Sequence, residues 1–310
     1  MNTDLSPEAV EYGDTARRAL EAAGGDALAP AGADDGGGTA KVLADLGAWD
    51  LDPRGSAEEL EAAAALCRSA GWWALPHPVA ERVARPRDLD ADALVVVASN
   101  GSPAAIAQAV AGLDLRWVAV DLGGRCSRAT PQPNPTAVGK PGVAVPLDLA
   151  RLDEASDGDV ALGLTLPCWT LLGQLDRAID LTADYVRDRH QFGQPLSSFQ
   201  GVQFQLTDAE VERVGVEELA KHALWSIATR RPDAVADALA LRLAAVEAAE
   251  VVFRITHQLH GAIGFCDETA LSWLSRASQP LRRLPLGPSA TRAALTDHIG
   301  RQGLAGLFSS

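Results

Sequence analysis

The 310-residue chain has few of the features that announce a function outright. Its four cysteines, Cys67, Cys126, Cys168 and Cys266, are widely spaced and form neither a CxxC pair nor a Cys/His cluster, so no zinc module is encoded and the thiols read as reduced and packed. Positive charge is in the minority. Twenty-seven basic residues face 41 acidic ones, a formal charge of −14 that repels polyphosphate backbones and anionic lipid and excludes nucleic acid as a partner. Long apolar runs are absent: nothing approaches the ~20 residues of a membrane span. The segment Met1 to Glu8 lacks the basic-then-apolar order of a signal peptide. The expectation is a soluble, cytoplasmic protein with no membrane partner. No serine sits in a G-x-S-x-G elbow, so hydrolase chemistry has no support. Among the six histidines only His257 and His260 have a spacing that a metal could use, and no metal is expected.

What is present is helical pattern, interrupted once. Ser6-Pro7 followed by Val10, Ala16, Leu20 and Ala23 predicts a first helix. Lys41 to Leu46 and Ala57 to Ala70 predict two more, the latter opened by Ser56 with Glu59 three residues on. Ala31 to Thr39 reads as a connection, and Trp72, Trp73 and Leu75-Pro76-His77-Pro78 as the close of this unit. The period then changes. Ala93 to Ala98 and Leu115 to Val120 are short β-branched runs bounded by turn residues, and the prolines at 131, 133, 135, 141 and 146 suggest loops and edge strands. After Pro167 the pattern is helical again: Leu172, Leu175, Ile179 and Val186 form one stripe, and further helices are expected to Trp225, from Pro232 to Gln258, from Glu268 to Leu281 and from Pro288 to Arg301. Asp176, Asp180, Asp184 and Asp188 recur every four residues and predict a charged face toward water or a partner. The fold expected is mainly α with a small β unit: a helical domain over 1–88, a shortened β domain over 89–160 and a four-helix-bundle-type domain over 161–310.

Two segments carry the functional signal. Tyr185-Val-Arg-Asp-Arg-His-Gln-Phe-Gly-Gln-Pro-Leu-Ser-Ser-Phe-Gln200 closes one helix with a charged loop and opens another, and Gln258-Leu-His-Gly-Ala-Ile-Gly-Phe265 ends a later helix. Together they resemble the carboxy-terminal domain of the acyl-CoA dehydrogenase family. The resemblance implies that Arg189 reaches the pyrophosphate of an FAD held largely by a neighbouring subunit, a task suited to a planar guanidinium. It implies that Phe192 packs near the adenine half, and that Gln191 and Gln200 also bind the cofactor. Gln258, Leu259, His260, Gly261 and Ala262 would hold the adenosine-diphosphate portion, Gly261 allowing close backbone approach. The family more often has two glycines where this chain has Gly261-Ala262.

The resemblance also exposes an omission. Thioester α,β-dehydrogenation needs a carboxylate to remove the α proton. The family keeps that glutamate either between the last two bundle helices, here Arg283-Leu-Pro-Leu-Gly-Pro-Ser289, or near the start of the first, here close to Gly163. No glutamate follows Glu268, and none lies between Glu154 and Glu210. The flavin-ring signature of the middle domain survives only as a faint echo in Ala98-Ser-Asn-Gly-Ser102. The chain therefore resembles the short subunit of the two-gene heterotetrameric acyl-CoA dehydrogenases of actinobacterial steroid catabolism, with no catalytic residue of its own. The implied assembly is a heterotetramer with a full-length acyl-CoA dehydrogenase subunit that holds the acyl-CoA in its cleft and shares the FAD. Two alternatives stay open: a self-sufficient homo-oligomeric enzyme whose base is an unexpected carboxylate such as Glu154 or Glu268, and a flavin-free interaction scaffold.

Overall fold

The structure is a computed structural model and describes residues 3–31, 38–98, 105–106, 115–132 and 145–303. Helix α1 (Pro7–Ala22) starts where expected, because Ser6 accepts a hydrogen bond from the Ala9 N–H and Pro7 needs no partner in the first turn. After the short helices α2 (Leu28–Ala31) and α3 (Gly38–Asp45), α4 (Ala57–Trp72) opens on Ser56, whose hydroxyl accepts from the Glu59 N–H at 3.2 Å. The expected close of the unit at Leu75–Pro78 is corrected: the chain turns there and forms one more helix, α5 (Val79–Val83). Pro78 precedes the first helical residue, where a missing N–H costs nothing, and Val79, Ala80 and Val83 bury themselves.

Strands β1 (Ala93–Val97), β2 (Ala105–Ile106), β3 (Trp117–Asp121), β4 (Arg125–Pro131) and β5 (Val145–Ala155) form one sheet in the order β1-β3-β4-β5-β2. β1 and β3 are parallel, with Ala93 opposite Trp117, and the other neighbours are antiparallel. Alternation divides the strand residues between two cores. Leu94 and Val96 enter the main one, while Ala93, Val95 and Val97 join Trp117 and Ala119 in a smaller one on the opposite face. Of the last strand expected at Val143 to Leu149, the part from Val145 lies in β5, and Val143 falls outside the described residues.

Helix α6 (Asp157–Asp188) starts well before Pro167, where the sequence suggested the helical region would begin. Ser156 caps it by accepting from the Asp159 N–H at 3.2 Å. Proline inside a helix presses on the carbonyl four residues back, and that residue is Gly163. Burial of Val160, Ala161, Leu162, Leu164 and Leu166 holds this first half in place against the proline's cost. The stripe of Leu172, Leu175 and Val186 is buried as expected, with Ile179 packed against it. A hairpin of β6 (His190–Gln191) and β7 (Gln194–Pro195) leads to α7 (Gln200–Ala228), α8 (Ala234–His260), α9 (Ala270–Arg283) and α10 (Pro288–Gln302).

Two features tie the amino-terminal helices to the bundle. The first is a backbone crossing of α4 and α6. A Cβ on Gly71 would lie 1.9 Å from the Thr170 carbonyl oxygen, and one on Gly173 would lie 1.9 Å from that of Arg68. The second is an ion network in which Arg68 of α4 meets Asp176 of α6 at 2.6 Å and Glu217 of α7 at 2.8 Å, with Arg213 2.6 Å from Glu217. Burial alone would raise the Glu217 pKa, but the hydrogen bonds and charges of Arg68 and then Arg213 hold it down to about 2. The network corrects the reading of the aspartate stripe. Asp176 is turned inward, only 11% of its side chain exposed, whereas Asp180 and Asp184 pair at the surface with Arg177 and Arg187. Cys67, Cys126 and Cys168 are buried, but Cys266 is exposed, so it is not a packed thiol. No helix among the described residues is long and apolar enough to cross a membrane.

Candidate functional site

The two segments singled out in the sequence meet at one end of the bundle. Helix α6 ends as the Arg189 N–H donates to the Tyr185 carbonyl at 2.9 Å, and the Arg189 carbonyl then accepts from the Leu196 N–H at 2.8 Å. Between these bonds the hairpin pairs Gln191 with Gln194 around a two-residue turn, Phe192-Gly193, both at positive φ (54° and 82°). That is the primed type of turn which suits a tight hairpin. Glycine adopts it freely, whereas a phenylalanine must be held there. Phe192 is 92% exposed and meets Phe199 edge to face at 6.2 Å. Arg189, Gln191 and Gln200 are exposed too, and among the described residues no carboxylate pairs with the Arg189 guanidinium. Helix α7 begins after Phe199, which supplies no side-chain cap; its carbonyl accepts from the Val202 N–H at 2.9 Å, and the Gln200 and Gly201 N–H groups give this 29-residue helix a positive end toward the loop.

Helix α8 delivers the second segment. Gly261 follows its last residue at φ +66°, and a Cβ there would meet nothing within 4 Å. Gln258, Gly261 and Ala262 are exposed, Leu259 is half-buried and His260 is buried. The His260 ring stacks on Tyr185 with centroids 4.4 Å apart, which joins the two segments. Its Nδ1 lies 2.9 Å from the Thr256 carbonyl and 3.5 Å from the Thr182 hydroxyl. A proton on Nδ1 is needed to donate to a carbonyl, so Nε2 keeps its lone pair. Burial lowers the His260 pKa, and burial followed by the charge of His260 lowers that of His257. His257 turns away to stack on Phe265 at 4.3 Å. The contact between Tyr185 and His260, and the exposure of the apolar turn at Ile263 and Phe265, are features of this end that the sequence did not reveal.

This donor set fits the adenosine-diphosphate half of FAD. It combines a guanidinium with no carboxylate partner among the described residues, a helix start without a side-chain cap, exposed amides and an aromatic ring on a tight hairpin turn.

The other end of the bundle is built differently. The α9–α10 loop, Leu284 to Gly287, contains no carboxylate and is fastened by Arg242 of α8. That guanidinium is 2% exposed and donates to the carbonyls of Leu281 at 3.1 Å and Leu286 at 2.8 Å. Burial pushes its pKa down. Gly163 lies against β1, where a Cβ would come 2.7 Å from Val96 Cγ2. Glu268 is exposed before α9, a helix whose 14 residues span ~20 Å and separate it from the loop. A groove of about 640 Å³ between the β3–β4 turn, the start of α6 and α10 is lined by Leu122, Gly158, Arg230, Arg231 and His298 among others, with no carboxylate among its described lining residues. Glu81 of α5 is buried and pushed up to about 7 by that burial, but it does not line the groove. The side chain of Glu154, and residues 99–102 of the faint flavin-ring signature, lie outside the described residues.

Comparison with known proteins bears on the fold. Residues 165–295 match the family described as acyl-CoA dehydrogenase, C-terminal domain. Acyl-CoA dehydrogenase FadE27 of Mycobacterium tuberculosis is 30% identical over 199 residues, which cover 60% of this chain and 48% of that protein. The chain spans less than half the length of the curated relatives it matches. Among solved structures, a chain of the ChsE4-ChsE5 complex from Mycobacterium tuberculosis superposes with a TM-score of 0.72 at 18% identity, covering 97% of this chain and 98% of that one. A chain of the Tcur3481-Tcur3483 steroid ACAD gives 0.74 at 19% identity, covering 95% and 98%. The chain therefore has the acyl-CoA dehydrogenase fold, and its residues 165–295 match that family's carboxy-terminal domain.

Proposed function

We propose that this chain is the base-lacking subunit of a heteromeric acyl-CoA dehydrogenase. Its bundle end completes the adenosine-diphosphate site of an FAD seated mainly in a full-length partner, and the partner carries the base and the acyl-CoA cleft. One observation carries the reading: Arg189, Gln191, Phe192, Gln200 and Gln258 stand ready and exposed at one end, while the loop where the family keeps a glutamate has none. Acyl-CoA dehydrogenases are FAD-dependent oxidoreductases. When bound, FAD supplies hydride acceptance to the α,β-dehydrogenation of an acyl thioester.

The chain's own residues bind and orient. Arg189 offers its planar fork to the pyrophosphate, helped by the first-turn N–H groups of α7. Phe192 offers a ring face beside the adenine, and Gln258 with the backbone of Leu259 to Ala262 borders the ribose side. His260 fixes Tyr185 and so the exit of α6. The similarity to a heteromeric complex and to a steroid ACAD supports a heterotetramer acting on a bulky, steroid-derived acyl-CoA.

The test is a flavin-to-protein ratio on the assembly purified from its native host. About one FAD per pair of unlike chains is expected, and Arg189→Ala should lower that occupancy severalfold while both chains stay together. A lone chain that oxidises acyl-CoA with full FAD, or an Arg189→Ala complex that keeps its flavin, overturns the reading.

A further inference from the structure

Helix α5 is the middle of a strap, residues 74–86, that packs on α4, α6 and β1. Its backbone is loosely tied. Pro76, Pro78 and Pro86 have no N–H to give. The Leu75 N–H donates to the Ala70 carbonyl of α4 at 3.0 Å, and the strap N–H groups that follow bond only within the strap, among the described residues. Ala74 opens the strap at φ +47° while only 4% exposed, a left-handed conformation that an alanine holds only under constraint.

Glu81, the one carboxylate of the strap, is turned into the protein and 9% exposed. No cation pairs with it among the described residues, because the basic groups around it in the chain are engaged elsewhere. Arg82 lies over the Trp49 ring, 3.6 Å from its centroid, and 2.9 Å from His77 Nε2. Arg85 donates to the Arg82 and Trp49 carbonyls, and Arg54 donates to those of Ala84 and Arg85 and holds Asp159, the described charged group at this end of α6. From α4 the titratable group facing Glu81 is the Cys67 thiol, whose pKa is raised by burial first and then by the Glu81 charge. Strand β1 brings only alanine, leucine and valine. A carboxylate ionised in this setting has neither counter-charge nor water, and burial pushes the Glu81 pKa up to about 7.

We infer that residues 74–86 form a proton-gated strap, which lies closed over α4, α6 and β1 when Glu81 is protonated and opens locally about Ala74 when Glu81 is ionised, with the bundle still folded. Opening gives the carboxylate water and lets Ala74 leave its left-handed conformation. It also uncovers the Cys67 thiol, which is 0% exposed in the closed form. Closed, Glu81 titrates at about 7; open, it returns to 4.5, so opening releases a proton between those values. The opening constant then rises about tenfold per pH unit inside that window and levels off above it, which amounts to about 30-fold from about pH 5.5 to about pH 8.

The test labels the full chain across that range with a pyridyl disulfide reagent, and peptide mass spectrometry reads the rate at each cysteine. Dividing by the rates of the unfolded chain at the same pH removes the thiol's own titration. Cys67 should speed up about 30-fold, whereas Cys126 of β4 and Cys168 of α6, which are also buried, should stay slow. In Glu81→Gln the Cys67 rate should be flat with pH. Hydrogen exchange at Arg82 and Ala84, referenced to α8, makes the same comparison in the wild-type chain and does not depend on the variant folding. A Cys67 rate that stays constant, or that rises equally in Glu81→Gln, overturns the inference. So does parallel labelling of all three buried cysteines, which reports unfolding of the whole chain, and so does protection at Arg82 and Ala84 that is unchanged by pH.

Discussion

Gly173→Ala is the sharpest test of how the amino-terminal helices are held to the bundle. In an unhindered helix interior the change would stabilise the chain by about 1 kcal/mol, because alanine loses less entropy than glycine. Here the new Cβ would lie 1.9 Å from the Arg68 carbonyl oxygen, 2.8 Å from its carbon and 3.0 Å from the Trp72 nitrogen. These are backbone atoms in a helix, so no rotamer change relieves them. Restoring van der Waals distance requires α4 and α6 to part by about 1.5 Å. A radial gap of ~0.5–1 Å already forfeits a quarter to a half of each dispersion contact. Spread over the buried side chains flanking the crossing, on the order of 4 kcal/mol is lost, and about 3 kcal/mol remains after the propensity gain.

At a urea m-value of roughly 3 kcal/mol/M the midpoint should fall by about 1 M. Gly71→Ala should do the same, because its Cβ would lie 1.9 Å from the Thr170 oxygen across the same crossing. The double variant should cost clearly less than the sum, since one separation of the helices relieves both clashes. Gly215→Ala, with nothing within 4 Å, is the control and should raise the midpoint. Far-UV circular dichroism under urea reads all four. A Gly173→Ala chain that unfolds within about 0.2 M of wild type would refute a backbone-to-backbone crossing.

Three further outcomes are expected. Glu81 titrates at about 7 in the folded chain against 4.5 in the unfolded one, so its contribution is fully present below pH 4.5 and is lost as pH rises to 7. Glu81→Gln should remove that loss and stabilise the chain at pH 8 by up to about 3 kcal/mol, with little change at pH 4, as read by denaturation at both values. Arg242→Ala should cost about 3 kcal/mol by leaving the Leu281 and Leu286 carbonyls without a donor, and Arg242→Lys should recover little of it because an ammonium lacks the fork that spans both; thermal unfolding decides. Phe192→Gly should relieve the positive-φ backbone and leave the isolated chain as stable as before or up to about 1 kcal/mol more so, while flavin retention by the assembled protein falls severalfold.

Much of the architecture is legible in the sequence because it is local. Ser6 and Ser56 cap the helices they precede, and the Leu172, Leu175 and Val186 stripe is the buried face of α6. Local pattern fails where distant residues decide. Pro167 suggests a helix start to any local reading, but the burial of Val160 to Leu166 carries α6 through it. Asp176 is indistinguishable from Asp180 and Asp184 by spacing, yet Arg68, more than one hundred residues away, draws it inward. The candidate site was legible as two strings of residues. That they meet through a Tyr185–His260 stack, and that Phe192 and Gly193 share a primed turn, required the tertiary structure.

The hairpin carrying Phe192 also bears on how the polypeptide behaves before it finds company. Its ring is almost wholly in water, and a short two-strand ladder fixes the backbone beneath it, so no simple rotation can tuck it away. With Phe204, Val211 and Phe265 also bare, a newly made copy is sticky until those surfaces are covered. On the heteromeric assembly proposed above, balanced synthesis of the two chains would then govern its solubility in the cell, and surplus copies would be the ones that clump or are degraded.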